Sequence, residues 1–598
     1  MTRRPEVDDG LHERPGVEAS LVGAWLHDRY EVLSELGWGS LGHVYLARDH
    51  LRRDAAGAVE EVAIKVVRRD RLTPKAIEYL KREFRALSRL QHPNVARVHD
   101  LDVVPGGGEL FFTLEVLRGR TIVEATRALG WEEGVDLVVQ TLRALHYVHA
   151  RGLVHMDLKP QNVFVLDDGA RRRVKVLDFH LVREHTDAPD RAMRGTIAYM
   201  APEVIKGAET GPRADLYSLG CVAYHAFTGG PPFAGLAPME VLRAHARDQP
   251  PAFAERGAGH LPPALEAVVQ RLLAKDPAER FASANDVIRA LNAGLGRSFA
   301  LETEETLDQA FSQAALVGRD ADLAAALALT REVDGPWLLV VTGEPGGGRT
   351  RFLQELKVLL QLEGLPALLG RARPGDEAFG PFRALLGELL RRERGGAALG
   401  EASRDGATVD PDLLVERAPG PELPAHVRRT AALADLLRDL ARAPVALLVD
   451  DLHEADPDAL GLVRALAAGP RPGQTLLVVS AREAEGEAGA LGDLVASPRA
   501  RRLELGRLPR QATAALAASM VGLRPDQGGV PDDFVERLWA VTGGNPRFVE
   551  ETMRSLAEAG VIRARDGALA VGPEVGRQLL DDQSLRALAA RRVARLEP

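Results

Sequence analysis

The chain has 598 residues, of which 45% are hydrophobic and 27% charged, and it carries a net charge of −9. That length exceeds what one core supports, so about two to four domains are expected. The acidic balance is no footprint for sequence-independent nucleic-acid binding, although it leaves room for a locally basic face, and no apolar run is long enough to span a bilayer, so neither nucleic acid nor membrane is an expected partner.

Residues 1–21 mix charge, Pro and Gly without an apolar stretch, and read as a disordered leader rather than a signal peptide. A cytoplasmic location is the matching expectation. From Tyr30, RYEVLSELG and GHVYLARD flank a glycine-rich turn, and EEVAIKVV makes a third strand. Beyond PGGGE a further pair of strands leads to FFTLEVL. From Trp131 the pattern turns helical, with WEEGVDLVVQTLRALHYVHARG keeping its apolar residues on one face. The single cysteine, Cys221, lies in the apolar run LGCVAYHAF and reads as a buried core residue. A strand-rich lobe followed by a helical lobe is thus expected over 22–292, and the polar stretch GRSFALETEETLDQAFSQ supplies a linker over 293–313.

A second unit opens at ALVGRDADLAAAL. WLLVVTGEP, VALLVDDL and TLLVVSAR are near-continuous apolar strands, the signature of a parallel sheet buried on both faces, and place an α/β core over 314–505. The segment 372–425, rich in Gly, Pro, Ala and Arg, reads as helices and loops without a strand. A helical subdomain is expected over 506–562. AGVIRARDGALAVG reads as a short hairpin, and 563–598 as the start of a winged-helix-like region.

In the first unit, LGWGSLGHV supplies Gly37, Gly39 and Gly42 ahead of Val44. This turn lies between two strands rather than before a helix, which disfavours a dinucleotide site. Glycine there lets the backbone close over phosphates. Lys65 ends VAIK, where it would grip the α- and β-phosphates, and Glu83 lies in a helical stretch from which it would pair with Lys65. LVHMDLKPQNVF carries Asp157, Lys159 and Asn162. Asp157 would accept the substrate hydroxyl proton, while Asn162 and Asp178 of LDFHL would hold magnesium. GTIAYMAPEV follows, and Asp215 in ADLYSLG reads as a buried acid bracing the catalytic loop. Each residue alone has a bland reading as a solvated side chain, but the ordered set does not.

This region resembles a eukaryotic-type serine/threonine protein kinase domain as found in bacteria, with an α+β bilobal fold. Lys159 and the Gly195–Thr196 pair resemble the serine/threonine branch. The resemblance implies ATP, magnesium or manganese, and protein substrates. It makes Leu114 the gatekeeper, Glu115 to Leu117 the adenine hinge, and Arg280 the partner of Glu203. Two positions depart from the family. Met156 stands where the family has an arginine that pairs with a phosphorylated activation loop, and methionine has no donor for phosphate. Control without loop phosphorylation is therefore expected, and Thr186 is the only hydroxyl between Asp178 and Thr196. His180 replaces the glycine of D-F-G, restricting the backbone and adding a pH-sensitive ring beside the metal. An alternative follows from it: a pseudokinase scaffold that binds ATP or ADP without phosphotransfer.

In the second unit, GEPGGGRT follows a buried strand and precedes a helix. Gly343, Gly346, Gly348 and Thr350 fit the P-loop pattern G-x-x-x-x-G-K-S/T, with Arg349 in place of lysine. Asp450 would hold magnesium together with Thr350, Asp451 would polarise water, and Arg482 ends the next strand as a γ-phosphate sensor. With LVGRD and the turn Gly544-Asn545-Pro546, this set resembles a STAND-class AAA+ ATPase module of the kind found in LuxR-type regulators. The resemblance implies ADP in this module, a homo-oligomerisation role, and Val317–Arg319 and Pro546 close to the nucleotide, while Arg349 in place of the lysine makes slow ATP hydrolysis the expectation. The final stretch, SLRALAARRVARLEP, fits either a fragment or a chain that has lost the family's sensor repeats. Together the two units read as a signalling enzyme in which a nucleotide-operated switch controls a kinase.

Overall fold

The computed structural model describes residues 20–571 apart from 39–41, 54–58, 68–73, 89, 106–108, 169–170, 178–182, 185–196, 304, 307–315, 333–334, 395–407, 416–423, 441–442, 470, 473, 483–491, 522–529, 559–561 and 566–567. The expected sites Gly39, Asp178, His180, Thr186 and Thr196 lie outside the described residues, as does 572–598, most of the expected winged-helix-like region.

A six-stranded antiparallel sheet opens the fold: β1 (Trp25–Leu26), β2 (Tyr30–Trp38), β3 (Gly42–Arg53), β4 (Val59–Val67), β5 (Val98–Val103) and β6 (Leu110–Glu115), in the order β1-β2-β3-β4-β6-β5. The PGGGE turn therefore separates β5 from β6 rather than preceding both. Helix α1 (Pro74–Ser88) is inserted between β4 and β5 and packs Leu80 and Phe84 against the sheet.

The large lobe follows with β7 (Gly119–Thr121), α2 (Ile122–Leu129), α3 (Trp131–Ala150), β8 (Leu153–Val154), the hairpin β9 (Val163–Asp168) and β10 (Arg171–Val176), and β11 (Arg183–Glu184). Helices α4 (Pro202–Ile205), α5 (Pro212–Thr228), α6 (Pro238–Arg247), α7 (Pro263–Leu272) and α8 (Ala284–Leu295) complete it. Local chemistry marks the ends of these helices. Thr121 and Glu124 form a capping box at α2, and Gly229 closes α5 at φ +87°, a conformation glycine adopts without strain. The apolar faces of α3, α5, α7 and α8 meet in one core that includes Cys221. The stretch read as a linker begins by lying on this lobe. Phe299 and Leu301 pack against its core, and Arg143 donates to the Ala300 carbonyl at 3.0 Å.

The second module contains α9 (Asp320–Ala328), β12 (Leu338–Gly343), α10 (Arg349–Leu362), β13 (Ala367–Arg371), α11 (Gly380–Arg394), α12 (Pro411–Val415) and α13 (Ala425–Leu440). It continues through β14 (Val445–Asp450), α14 (Pro457–Ala468), β15 (Thr475–Arg482), α15 (Gly492–Val495) and β16 (Ala500–Glu504). Its sheet is parallel throughout, in the order β13-β14-β15-β12-β16, with hydrophobic clusters on both faces. The three strands expected from their apolar runs are the central ones. The outer two, ALLGR and ARRLE, carry glycine and arginines and lack the apolar run that signals a buried strand. Helices α16 (Arg510–Met520), α17 (Asp532–Thr542) and α18 (Pro546–Glu558) then form a separate apolar cluster, followed by the hairpin β17 (Ile562–Arg565) and β18 (Ala568–Val571).

The small lobe rests on the second module. Val358 and Leu362 of α10 pack into the cluster of Leu80, Phe84 and Leu101, and ion pairs join Arg29 to Glu388 and Lys357 to Asp100.

Candidate active site and nucleotide sites

The first site lies between the two lobes. Val44 on β3 sits directly across from Lys65 on β4, and Gly37 across from Val44. A Cβ at Gly37 would meet nothing within 4 Å, so this part of the strand faces open space that phosphates can fill. Lys65 is buried at 3% exposure, with Nζ 5.7 Å from the centre of the Phe112 ring. Glu83 lies on α1, the helix that packs beside this sheet.

Across the cleft, β8 leads into the catalytic loop. Lys159 Nζ lies 3.0 Å from Asp157 Oδ2, and Asn162 Nδ2 donates to the Asp157 carbonyl at 2.7 Å. Asp215, on α5, accepts the backbone N–H groups of His155 at 2.8 Å and Met156 at 2.9 Å, and its carboxylate also meets the His149 ring at 2.7 Å. Burial pushes the Asp215 carboxyl up. The His149 hydrogen bond and the nearby histidines outweigh it and hold the pKa below the ordinary carboxylate value. Met156 occupies the left-handed region at φ +67°, which turns the chain so that Asp157 follows into the cleft.

His155 was not singled out by its sequence context, yet it ties the loop together. Its Nδ1 accepts from the Asp157 N–H at 3.3 Å, which leaves Nε2 to donate to the Leu177 carbonyl at 2.8 Å. Leu177 immediately precedes Asp178, and its own N–H donates to the Asn162 carbonyl at 2.9 Å. Asp157 and Leu177, the residue before Asp178, are thus held to one another through His155. The signal available in the sequence was the His-x-Asp spacing.

At the expected hinge, Leu114 packs against the cluster of Leu80 and Phe84. The Glu115 carboxylate is taken up by Lys175 at 2.7 Å, and the Glu115 N–H by the Arg97 carbonyl. Leu117 follows between β6 and β7. Farther down, Arg280 grips Glu203 through two bonds of 2.7 and 2.8 Å, with the arginine only 1% exposed.

The second site lies at the carboxyl ends of the parallel strands, where β12 is followed by the P-loop. Gly346 and Gly348 have φ of +76° and +90°, conformations that only glycine adopts freely. They shape a backbone cradle at the N-terminus of α10 that suits phosphate. The chain turn at Asn545 closes over it. Asn545 Nδ2 donates to the Pro345 carbonyl at 2.9 Å, and the Arg547 N–H donates to the Gly346 carbonyl at 3.2 Å. Pro546 lies 4.0 Å from where a Cβ on Gly348 would stand. Glu344 and Arg507 form a further bridge at 3.0 Å. Thr350 stands in the first turn of α10, half-buried.

Arg349 takes a course a lysine could not. Its guanidinium turns back onto the carbonyls of Gly343 and, at 3.1 Å, Glu344, and lies 3.7 Å from Asp451. The planar fork reaches several acceptors at once. Burial lowers its pKa, against the pull of Asp451 and Asp450. Asp450 is 2% exposed and accepts from Ser480 Oγ at 2.6 Å, while Ser480 accepts the Asp451 N–H at 2.9 Å. Asp451, expected to polarise water, is paired with Arg371 at 2.9 Å as well as approached by Arg349. Arg482 lies beside Gly343 in the sheet, exposed, with its nearest acid Glu454 at 3.4 Å. Arg319 donates to the Gly506 carbonyl and lies 3.6 Å from Asp322, while Val317 packs against the cluster of α16–α18. Ser480, Arg371, Glu344 and Arg507 were not anticipated, because single serine, arginine and glutamate residues carry no distinctive pattern.

These two arrangements match known families. Residues 30–290 match the family model of the protein kinase domain and residues 315–479 that of an AAA ATPase domain, so the chain carries a protein kinase domain followed by an AAA ATPase domain. Among curated proteins, it is similar to the serine/threonine-protein kinase PknB of Mycolicibacterium smegmatis, 34% identical over 274 residues that make up 44% of this chain and 42% of that one. The PknB of Mycobacterium leprae is 34% identical over 273 residues, with the same coverage. The serine/threonine-protein kinase PknA of Mycobacterium tuberculosis is 33% identical over 287 residues, 46% of this chain and 63% of that one. The chain thus spans less than half the length of these PknB relatives and under two thirds of that of the PknA relative. Among the described residues no helix is long and apolar enough to cross a membrane.

Proposed function

We propose that the chain is a serine/threonine protein kinase that transfers the γ-phosphate of ATP to protein hydroxyls, and that its AAA ATPase module regulates the transfer. The observation that carries the kinase reading is the Asp157–Lys159–Asn162 cluster braced by Asp215, in a chain that also buries Lys65 on β4. In this reading Asp157 accepts the hydroxyl proton, and Lys159 stabilises the charge that gathers beside it. Asn162 and Asp178 would hold magnesium, which supplies neutralisation of the phosphates when bound. Lys65, paired with Glu83, orients the phosphates of ATP under the strand bearing Gly37 and Val44.

The second module is read as a STAND-type switch that binds ADP or ATP. The clasp of the Asn545 turn on the P-loop supports this, because a nucleotide there would touch both the core and the helical subdomain. With Arg349 and Asp451 engaged in ion pairs and loop contacts, hydrolysis is expected to be slow. The test of the kinase reading is radiolabelled ATP with the purified chain and a generic basic protein, beside Asp157→Asn. Label transfer that vanishes in the variant supports phosphotransfer. Nucleotide binding without transfer refutes it and leaves a nucleotide-binding scaffold.

A further inference from the structure

Helix α10 runs from the P-loop to the kinase small lobe. Its first residues, Arg349 and Thr350, belong to the P-loop, and Arg351 pairs with Glu550 of α18 at 3.1 Å. Its later turns keep Leu356 and Leu360 in the ATPase core and turn another face, with Val358 and Leu362, to the kinase small lobe. Val358 and Leu362 complete a cluster made of Leu80 and Phe84 from α1, Leu101 from β5, Leu114 from β6 and Val67 from β4. Phe84 follows Glu83 directly, and Val67 lies two positions beyond Lys65. The helix that carries Glu83 and the strand that carries Lys65 are therefore backed by the same two side chains of the second module.

Charge fixes the register of this contact. Lys357 Nζ lies 2.5 Å from Asp100, Arg392 of α11 pairs with Asp102, and Glu388 accepts from Arg29 at 3.0 Å. Arg29 also grips Asp49 at 2.7 Å and Asp100 at 3.0 Å. On α1 itself, Arg85 approaches Glu355 at 3.8 Å. All six residues of the three principal pairs are buried or largely so, and a buried ion whose partner is removed is strongly destabilised. Such a contact holds two modules in one arrangement rather than letting them slide.

We infer that α10 is a positioning element for the kinase: the state of the P-loop at its N-terminus sets, through Val358, Leu362 and Lys357, where α1 stands and so whether Glu83 reaches Lys65. From Thr350 to Val358 is about 12 Å along one helix. A packed helix transmits a small shift as a body, because close-packed neighbours do not absorb it. The inference rests on the reading that the second module regulates the kinase, and it names the route.

The test uses the full chain with a generic basic protein as substrate, reading kcat and KM for ATP. Val358→Asp puts a charge into the shared cluster and is expected to lower kcat roughly 10- to 100-fold, the scale of a misplaced catalytic group. KM for ATP should rise with it, whereas a mere loss of folded protein lowers kcat alone. Asp102→Arg and Arg392→Asp should each impair the enzyme, and their combination should restore it. This charge exchange decides the matter where Val358→Asp fails to fold. Thr350→Ala, which disables the P-loop, should change kinase output in the parent chain and have no further effect beside Val358→Asp. Parental kinetics in Val358→Asp, or no rescue by the charge exchange, overturns the inference. Thr350→Ala acting equally in both backgrounds overturns the route and leaves regulation by the module standing. Thr350→Ala without effect in the parent chain refutes the regulation, and the inference with it.

Discussion

Replacing Asp215 with asparagine tests how the catalytic loop is held. The carboxylate accepts two backbone N–H groups, from His155 and Met156, at 2.8 and 2.9 Å, and both belong to the turn that presents Asp157. Charge-assisted hydrogen bonds contribute about 1.5–3 kcal/mol each, so the pair supplies roughly 3–6 kcal/mol toward that turn. Opposing it is Met156 at φ +67°, a left-handed conformation that costs a non-glycine residue about 1–2 kcal/mol. Asparagine has one acceptor oxygen, and its amide nitrogen would face the second N–H donor-to-donor. What remains is a single neutral bond of about 0.5–1.5 kcal/mol, no more than the strain it must hold. The loop should relax away from φ +67° and carry Asp157 with it.

The expected result for Asp215→Asn is a fall in kcat of roughly 10- to 100-fold in steady-state phosphotransfer. KM for ATP should change little, since Lys65 belongs to the other lobe. Adding Met156→Gly removes the strain, because glycine adopts positive φ freely, and should restore part of kcat. Parental kcat in Asp215→Asn would refute the reasoning. A double variant no faster than the single one would show that strain at Met156 is not what the carboxylate opposes.

Glu203→Ala leaves Arg280 buried with carbonyls and the Tyr217 ring but without its Glu203 counter-charge, and should destabilise the large lobe by about 3–5 kcal/mol, measured as faster hydrogen exchange across Pro212–Thr228. Gly346→Ala would set a Cβ 2.7 Å from the Arg547 Cβ at a φ of +76°. It should lower nucleotide stoichiometry in equilibrium dialysis by the share bound at the second module, and unchanged stoichiometry would count against that site. The Asp102 carboxyl, pushed up by burial but held at about 2 by Arg392 and His27, lies below its unfolded value of about 3.9. Its stabilising effect is therefore complete well above pH 4 and is lost as pH falls through about 4 toward 2. Arg392→Met raises the folded pKa toward the unfolded value and should shrink that acid loss while lowering stability at neutral pH, read as hydrogen exchange in Arg349–Leu362 during acid titration.

Several parts of the molecule were legible because they are written locally. VAIK, MDLKPQN and GEPGGGRT each combine a backbone requirement with a chemical group at fixed spacing, and the apolar runs VALLVD and TLLVVS announce strands buried on both faces. Buried Cys221 followed from its neighbours in the same way. The edge strands ALLGR and ARRLE escaped because only their inner residues are buried, Ala367 and Leu368 in the first and none fully in the second, which leaves no continuous apolar run. The exposed Arg482 and the buried Arg349 look equivalent as sequence, yet one reaches Glu454 while the other folds back onto its own loop.

The sequence by itself determined that this is a kinase domain followed by a P-loop ATPase, since phosphate chemistry demands particular residues at short separations along the chain. It also determined that Met156 leaves Asp157, Lys159 and Asn162 in place. Only the tertiary structure decided what holds Met156 and where the two modules meet. Asp215 and Met156 are joined across 59 positions, and Lys357 and Asp100 across 257. In the sequence Lys357, Val358 and Leu362 are three ordinary residues of an amphipathic helix. Their partners become visible only when the chain has folded, because a contact between distant segments depends on geometry that no local pattern encodes.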